Sequence, residues 1–109
     1  MRVWDIPPRR LCRQHLLGEH RELHAVWTVV TEGKKGYANH PETLRWVGKT
    51  RALYQRHEVL VAEMTRRGYD HRTPLDKRKA RGPLIQTVLV DSVSTQRRLL
   101  SQKDCDCPM

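Results

Sequence analysis

At 109 residues the chain has room for one small domain around a modest core, which excludes a two-domain architecture. Lys and Arg number 21 against 12 Asp and Glu, a formal charge of +9 and a sequence pI near 10.1, the electrostatic footprint of a polyanionic partner such as nucleic acid. No apolar run is long enough for a signal peptide or a membrane span, and no basic helix with a large apolar face stands out; the expected place is the cytoplasm, close to the nucleoid.

Met1 to Ile6 reads as short and extended, with Pro7 and Pro8 preventing an earlier helix start and Pro8 suited to a first turn. A helix is predicted from Arg9 to Thr31, ending at the breaker Gly33. At about 100° per residue, Leu16, His20, Leu23, Trp27 and Val30 share one stripe, the pattern of a face packed on a core. Gln14, His15, Gly18, Arg21, Glu22 and Ala25 occupy a different arc, on which His15 and Glu22 lie two turns apart on nearly the same line. Gly18 costs about 1 kcal/mol against Ala inside a helix, so its missing side chain is expected to leave room for something to approach. The plain alternative is a solvated polar face with intrahelical charge pairs.

A loop from Gly33 to Asn39, containing Gly36 and Tyr37, precedes a second helix opened by Pro41 with Glu42 in its first turn. Leu44, Val47, Leu53, Leu60, Val61 and Met64 form its predicted apolar side, Gly48 kinks it, and Gly68 stops it after Arg66 and Arg67. His40 reads either as a helix cap or as a loop residue facing the first helix, and His24 and His57 as surface or core. From Tyr69 to Pro83 apolar periodicity vanishes, and Lys77, Arg78, Lys79 and Arg81 make a basic loop suited to solvent or to phosphate. Leu84 to Val90 has strand-like composition but no partner strand, and reads as a loop leading to a third helix. That helix is capped by Asp91 or Ser92, with Val93, Leu99 and Leu100 inward and Arg97 and Arg98 outward.

The expected fold is all-α: a single compact domain of three main helices with irregular connecting loops over residues 1–104, followed by a short tail, 105–109. Cys12, Cys105 and Cys107 are odd in number and lack a secretory context, so they are expected to remain thiols. A terminal C-x-C lacks the spacing of a structural zinc site. No metal or cofactor is expected, and the tail is expected to fray.

The run QHLLGEHREL resembles the active-site helix of the phage-type pyrimidine-dimer DNA glycosylase and AP lyase family, with QHL and REL the specific part. The opening MRVWDIPP, and GKKGYANHP followed by a helix ending in RRGY, are similar to bacterial members, so the resemblance covers roughly residues 1–104. It implies a partner in damaged double-stranded DNA, no cofactor, and an N-terminal amine that forms a Schiff base with the deoxyribose. In the phage enzyme the initiator methionine is removed; here bulky Arg2 favours its retention, and aligning QHL brings the amine of Met1 to the nucleophile's position. The resemblance further implies that Glu22 is the catalytic carboxylate and that Arg2, Gln14, His15, Arg21 and Arg98 contact DNA. A monomer without an obligate protein partner is expected. The chain departs from the phage enzyme in carrying Ala25 where an arginine stands there, and in lacking its aromatic, lysine-bearing C-terminal segment. Two rival readings are a lyase or glycosylase for another base lesion and a non-catalytic basic DNA-binding module.

Overall fold

In the computed structural model, which describes residues 2–35, 38–71, 73–103 and 107, every regular element is helical and no strand occurs among the described residues. The chain makes a 3-10 turn at Pro8–Arg10, then α1 (Arg13–Glu32), α2 (Pro41–Leu44), α3 (Thr50–Arg66), a second 3-10 turn at Lys77–Lys79, and α4 (Val93–Ser101). The expectation of an all-α globule with three main helices agrees with this, and residues 84–90 are indeed loop.

Helix α1 starts later than Arg9. Pro7 and Pro8 permit only one tight turn, after which Leu11 is extended (φ −96°, ψ 135°) and Cys12 (φ −68°, ψ 169°) takes the N-cap position. Its far end closes on Gly33 in the left-handed conformation (φ +68°). Leu16, Leu23, Val26 and Trp27 are buried along the apolar stripe, while His20, on the same stripe, is only half-buried.

The predicted second helix is two helices. Gly48 has φ +75°, a conformation no continuous helix contains, so it breaks the segment rather than kinking it. The break turns Leu44 and Val47 to solvent, 50% and 57% exposed, and buries Trp46 instead, which corrects the assignment of those two residues to an apolar side. On α3, Leu53, His57, Leu60 and Met64 recur at helical spacing and face α1. Leu16, Leu23, Leu53 and Leu60 are all fully buried, each worth about 1.5–3 kcal/mol of transfer free energy. The basic loop is stitched to the start of α3: the Thr50 hydroxyl donates to the Lys79 carbonyl (2.8 Å), and the Arg51 N–H donates to the Arg81 carbonyl (2.8 Å). Gly82 (φ +83°) lets this loop pass the break, because a Cβ there would lie 2.0 Å from the Gly48 carbonyl oxygen.

The N-terminal segment runs through the interior. Val3, Trp4, Ile6 and Leu11 are buried, yet their backbone belongs to no helix or sheet, so its polar groups need other partners. Three arginines supply them. Arg45 donates to the Val3 carbonyl (2.8 Å), Arg56 to that of Ile6 (2.9 Å), and Arg67 to those of Leu11 (2.6 Å) and Pro8 (3.2 Å). Arg56 and Arg67, the latter the C-cap of α3, stand eleven residues apart, three helical turns, so they project to the same side. Each arginine is also ion-paired: Arg45 with Glu42 and Asp5, Arg56 with Glu19, Arg67 with Glu63. The Val3 N–H donates to Glu42 (3.2 Å), and the Asp5 N–H to Gln96 of α4 (2.8 Å), whose amide returns a bond to the Asp5 carboxylate (3.0 Å). Side chains thereby fix the path of residues 3–11 against α1, α3 and α4.

Candidate active site

That path brings the start of the chain over one side of α1. A cleft of about 320 Å³ is lined by Arg2 and Trp4 from the N-terminal segment and by Gln14, His15, Gly18, Glu19, Arg21 and Glu22 from the helix. The helical residues recur at three- and four-residue intervals, so one face of α1 forms the floor. Gly18 leaves that floor open: a Cβ built there meets no atom within 4 Å. Glu22 is half-buried at the cleft and Arg21 exposed.

The structure thus brings together Arg2, Gln14, His15, Arg21 and Glu22, five of the residues singled out in the sequence. Arg98 is exposed on α4 and is not among the residues lining this cleft. Met1 falls outside the described residues.

Arg2 is oriented from two directions. Its guanidinium donates to the Asp91 carboxylate (2.8 Å) and lies 4.9 Å from the centre of the Trp4 ring, a cation–π arrangement. The Trp4 ring in turn meets His15 edge-on, 6.2 Å between centres. Burial and the nearby Lys103 ammonium hold the His15 pKa below its ordinary value, which favours the neutral imidazole.

His15 Nδ1 lies 3.2 Å from the Cys12 sulfur and 3.3 Å from that of Cys107, and the Cys12 N–H donates to the Cys107 sulfur (3.1 Å). This corrects the expectation of a fraying tail as far as Cys107 is concerned, because that half-buried residue packs on the core beside the start of α1. Cys105 lies outside the described residues.

Two carboxylates line the cleft in different states. Glu19 is fully buried, bonded twice by Arg56 (2.6 and 3.0 Å) and once by the Trp4 N–H; burial pushes its carboxyl above the usual range and Arg56 opposes that shift. It is committed to structure. Glu19 was not singled out in the sequence, although its place between Leu16 and Leu23 on the apolar stripe, where an acid requires a buried partner, was a signal for this role. Glu22, one turn on, carries no such commitment to the core.

A second cleft, about 610 Å³, is lined by Arg2, Trp4, His40, Leu99, Gln102 and Lys103, and shares Arg2 and Trp4 with the first. Of the two roles read for His40 the structure shows the cap, its Nδ1 accepting the Glu42 N–H (3.1 Å); the residue lines the second cleft and is not among those lining the first. Chemically, the two clefts offer cations suited to phosphate, a carboxylate able to take a proton, and a floor left open at Gly18.

A family model described as pyrimidine dimer DNA glycosylase matches residues 1–77, which include every residue lining the first cleft. No curated protein and no solved structure matches the chain.

Proposed function

The chain belongs to the pyrimidine dimer DNA glycosylase family, and from that premise we propose that it excises UV-induced pyrimidine dimers from duplex DNA and then nicks the strand as an AP lyase. The observation that carries this reading is the single cleft holding Arg2, Gln14, His15, Gly18, Arg21 and Glu22. In the proposed mechanism the nucleophile is the α-amine of Met1, which is joined directly to cleft-lining Arg2. An α-amine has an ordinary pKa of about 7.7–8.0, so a useful fraction is neutral near physiological pH, unlike a lysine. Arg2 and Arg21 line the cleft, and cations there would disfavour protonation of an amine brought into it.

The amine lone pair forms a bond to the anomeric carbon as the glycosidic bond breaks, and the base leaves with the electron pair of the broken bond. Loss of the nitrogen's proton and opening of the sugar ring give the Schiff base. Glu22 steadies the positive charge as it develops, then takes a proton from the sugar carbon next to the imine; the electrons released expel the 3′ phosphate, cutting the strand by β-elimination. Arg2, Gln14, His15 and Arg21 hold the strand around the extruded nucleotide, and Arg98 meets a flanking phosphate. Extrusion costs a few kcal/mol, least for a lesion already poorly paired.

The substrate is tested with a panel of duplexes, each carrying one defined lesion. Cleavage is expected at the pyrimidine dimer and at a preformed abasic site, falling steeply as salt is raised. Excision of a different damaged base, with the dimer left intact, would replace the assigned substrate.

A further inference from the structure

On the side of α1 turned roughly 200° from the cleft, four imidazoles meet. His20 and His24 stand one turn apart on α1, fully buried His57 faces them from α3, and His71 comes from the segment after α3. Ring centres lie 4.6 Å apart for His20 and His24, 5.1 Å for His20 and His57, and 5.0 Å for His20 and His71. One nitrogen from each ring can be chosen so that all four lie within 4.8 Å of one another.

His24, His57 and His71 each have a hydrogen-bond partner in the protein, the Thr73 carbonyl and hydroxyl among them, but His20 does not. His20 Nε2 is buried without a hydrogen-bond partner, alone in that respect among the described side chains, and such an orphan costs about 1–3 kcal/mol. His24 Nε2 and His57 Nε2 face each other at 3.2 Å, close to the roughly 3.3 Å between two nitrogens bound to one tetrahedral ion at 2.0–2.1 Å. On its other edge His57 Nδ1 meets the Glu58 carboxylate at 3.0 Å, the outer partner that orients a metal-bound imidazole.

We propose that His20, His24, His57 and His71 bind one zinc ion in a closed tetrahedral site. Four neutral nitrogen donors suit zinc, and four protein ligands leave no open position for a reacting water. The ion is therefore structural. It ties the segment after α3, which leads into the basic turn at Lys77–Lys79, to both long helices.

The test uses the full chain stripped of metal with a chelator and titrated with cobalt(II), then with competing zinc. Wild-type and Cys12→Ser chains are expected to bind about one cobalt each, with the visible bands of a tetrahedral ion and no thiolate-to-cobalt charge transfer. His24→Gln and His71→Gln, at half-buried positions that leave the core intact, are expected to weaken binding at least about 100-fold, and Glu58→Gln, at an exposed position, about 10–100-fold. A stripped chain that takes up neither ion would overturn the proposal, as would unchanged affinity in the histidine variants. So would a thiolate band lost in Cys12→Ser, which would move the ion to Cys12, His15 and Cys107. None of these readouts depends on DNA cleavage, so the zinc site stands or falls separately from the glycosylase reading.

Discussion

Glu22→Gln is expected to reduce cleavage of a dimer-containing duplex by roughly 10²–10⁴-fold while changing duplex affinity only a few-fold. The amide keeps the shape of the carboxylate, so the cleft and its floor at Gly18 are preserved; what is removed is the group proposed to accept the sugar proton. On the proposed reading, binding rests on phosphate contacts from cations that this change leaves in place. The other acid of the cleft cannot substitute, because Glu19 is fully buried and holds Arg56 and the Trp4 N–H. Gel-resolved strand scission and fluorescence anisotropy on the same duplex separate the two quantities. Full cleavage by Glu22→Gln would remove this residue from the mechanism.

Arg45→Ala carries the largest expected loss of stability. Its side chain is 2% exposed and reaches Glu42, Asp5 and the carbonyls of Val3 and Val88. Removing it leaves Glu42, with a side chain 4% exposed, as an uncompensated buried charge, a change costing about 3–5 kcal/mol out of a total stability of about 5–15 kcal/mol. Melting followed by circular dichroism is expected to fall by more than about 10 °C. Arg66→Ala is the control: its side chain is 64% exposed and Arg67 remains on Glu63, so its melting is expected to stay close to that of the unaltered chain. Because Arg45 holds Val3 and Asp5 in place, cleavage should also drop at temperatures where the variant is still folded. Equal melting of the two variants would show that the N-terminal segment is held by other means.

What was legible in the sequence was whatever a single helical period records. The arc of Gln14, His15, Gly18, Arg21 and Glu22 follows from 3.6 residues per turn, and all five line one cleft. Ser92 caps α4 as its type and place suggest, accepting the Thr95 N–H (3.1 Å). The break at Gly48 was not legible, because glycine permits a left-handed turn without announcing one, and the apolar pattern of Leu44 and Val47 runs straight through it.

Nor does composition tell an arginine facing a phosphate from one facing a carbonyl. Arg45, Arg56 and Arg67 count toward the charge of +9, yet all three turn inward to an irregular backbone whose unmet acceptors appear only once the chain is folded. The histidine cluster escaped for a similar reason. His20 and His24 share a helix, but His57 and His71 join them from α3 and the segment after it, at spacings that match no ligand motif.

The most direct measurement is borohydride trapping on a duplex with one abasic site, followed by proteolysis and mass mapping of the adduct. A covalent product on the amine of Met1 is expected, lost when residues are added ahead of it. A product on a lysine side chain, or a yield unchanged by the added residues, would contradict it.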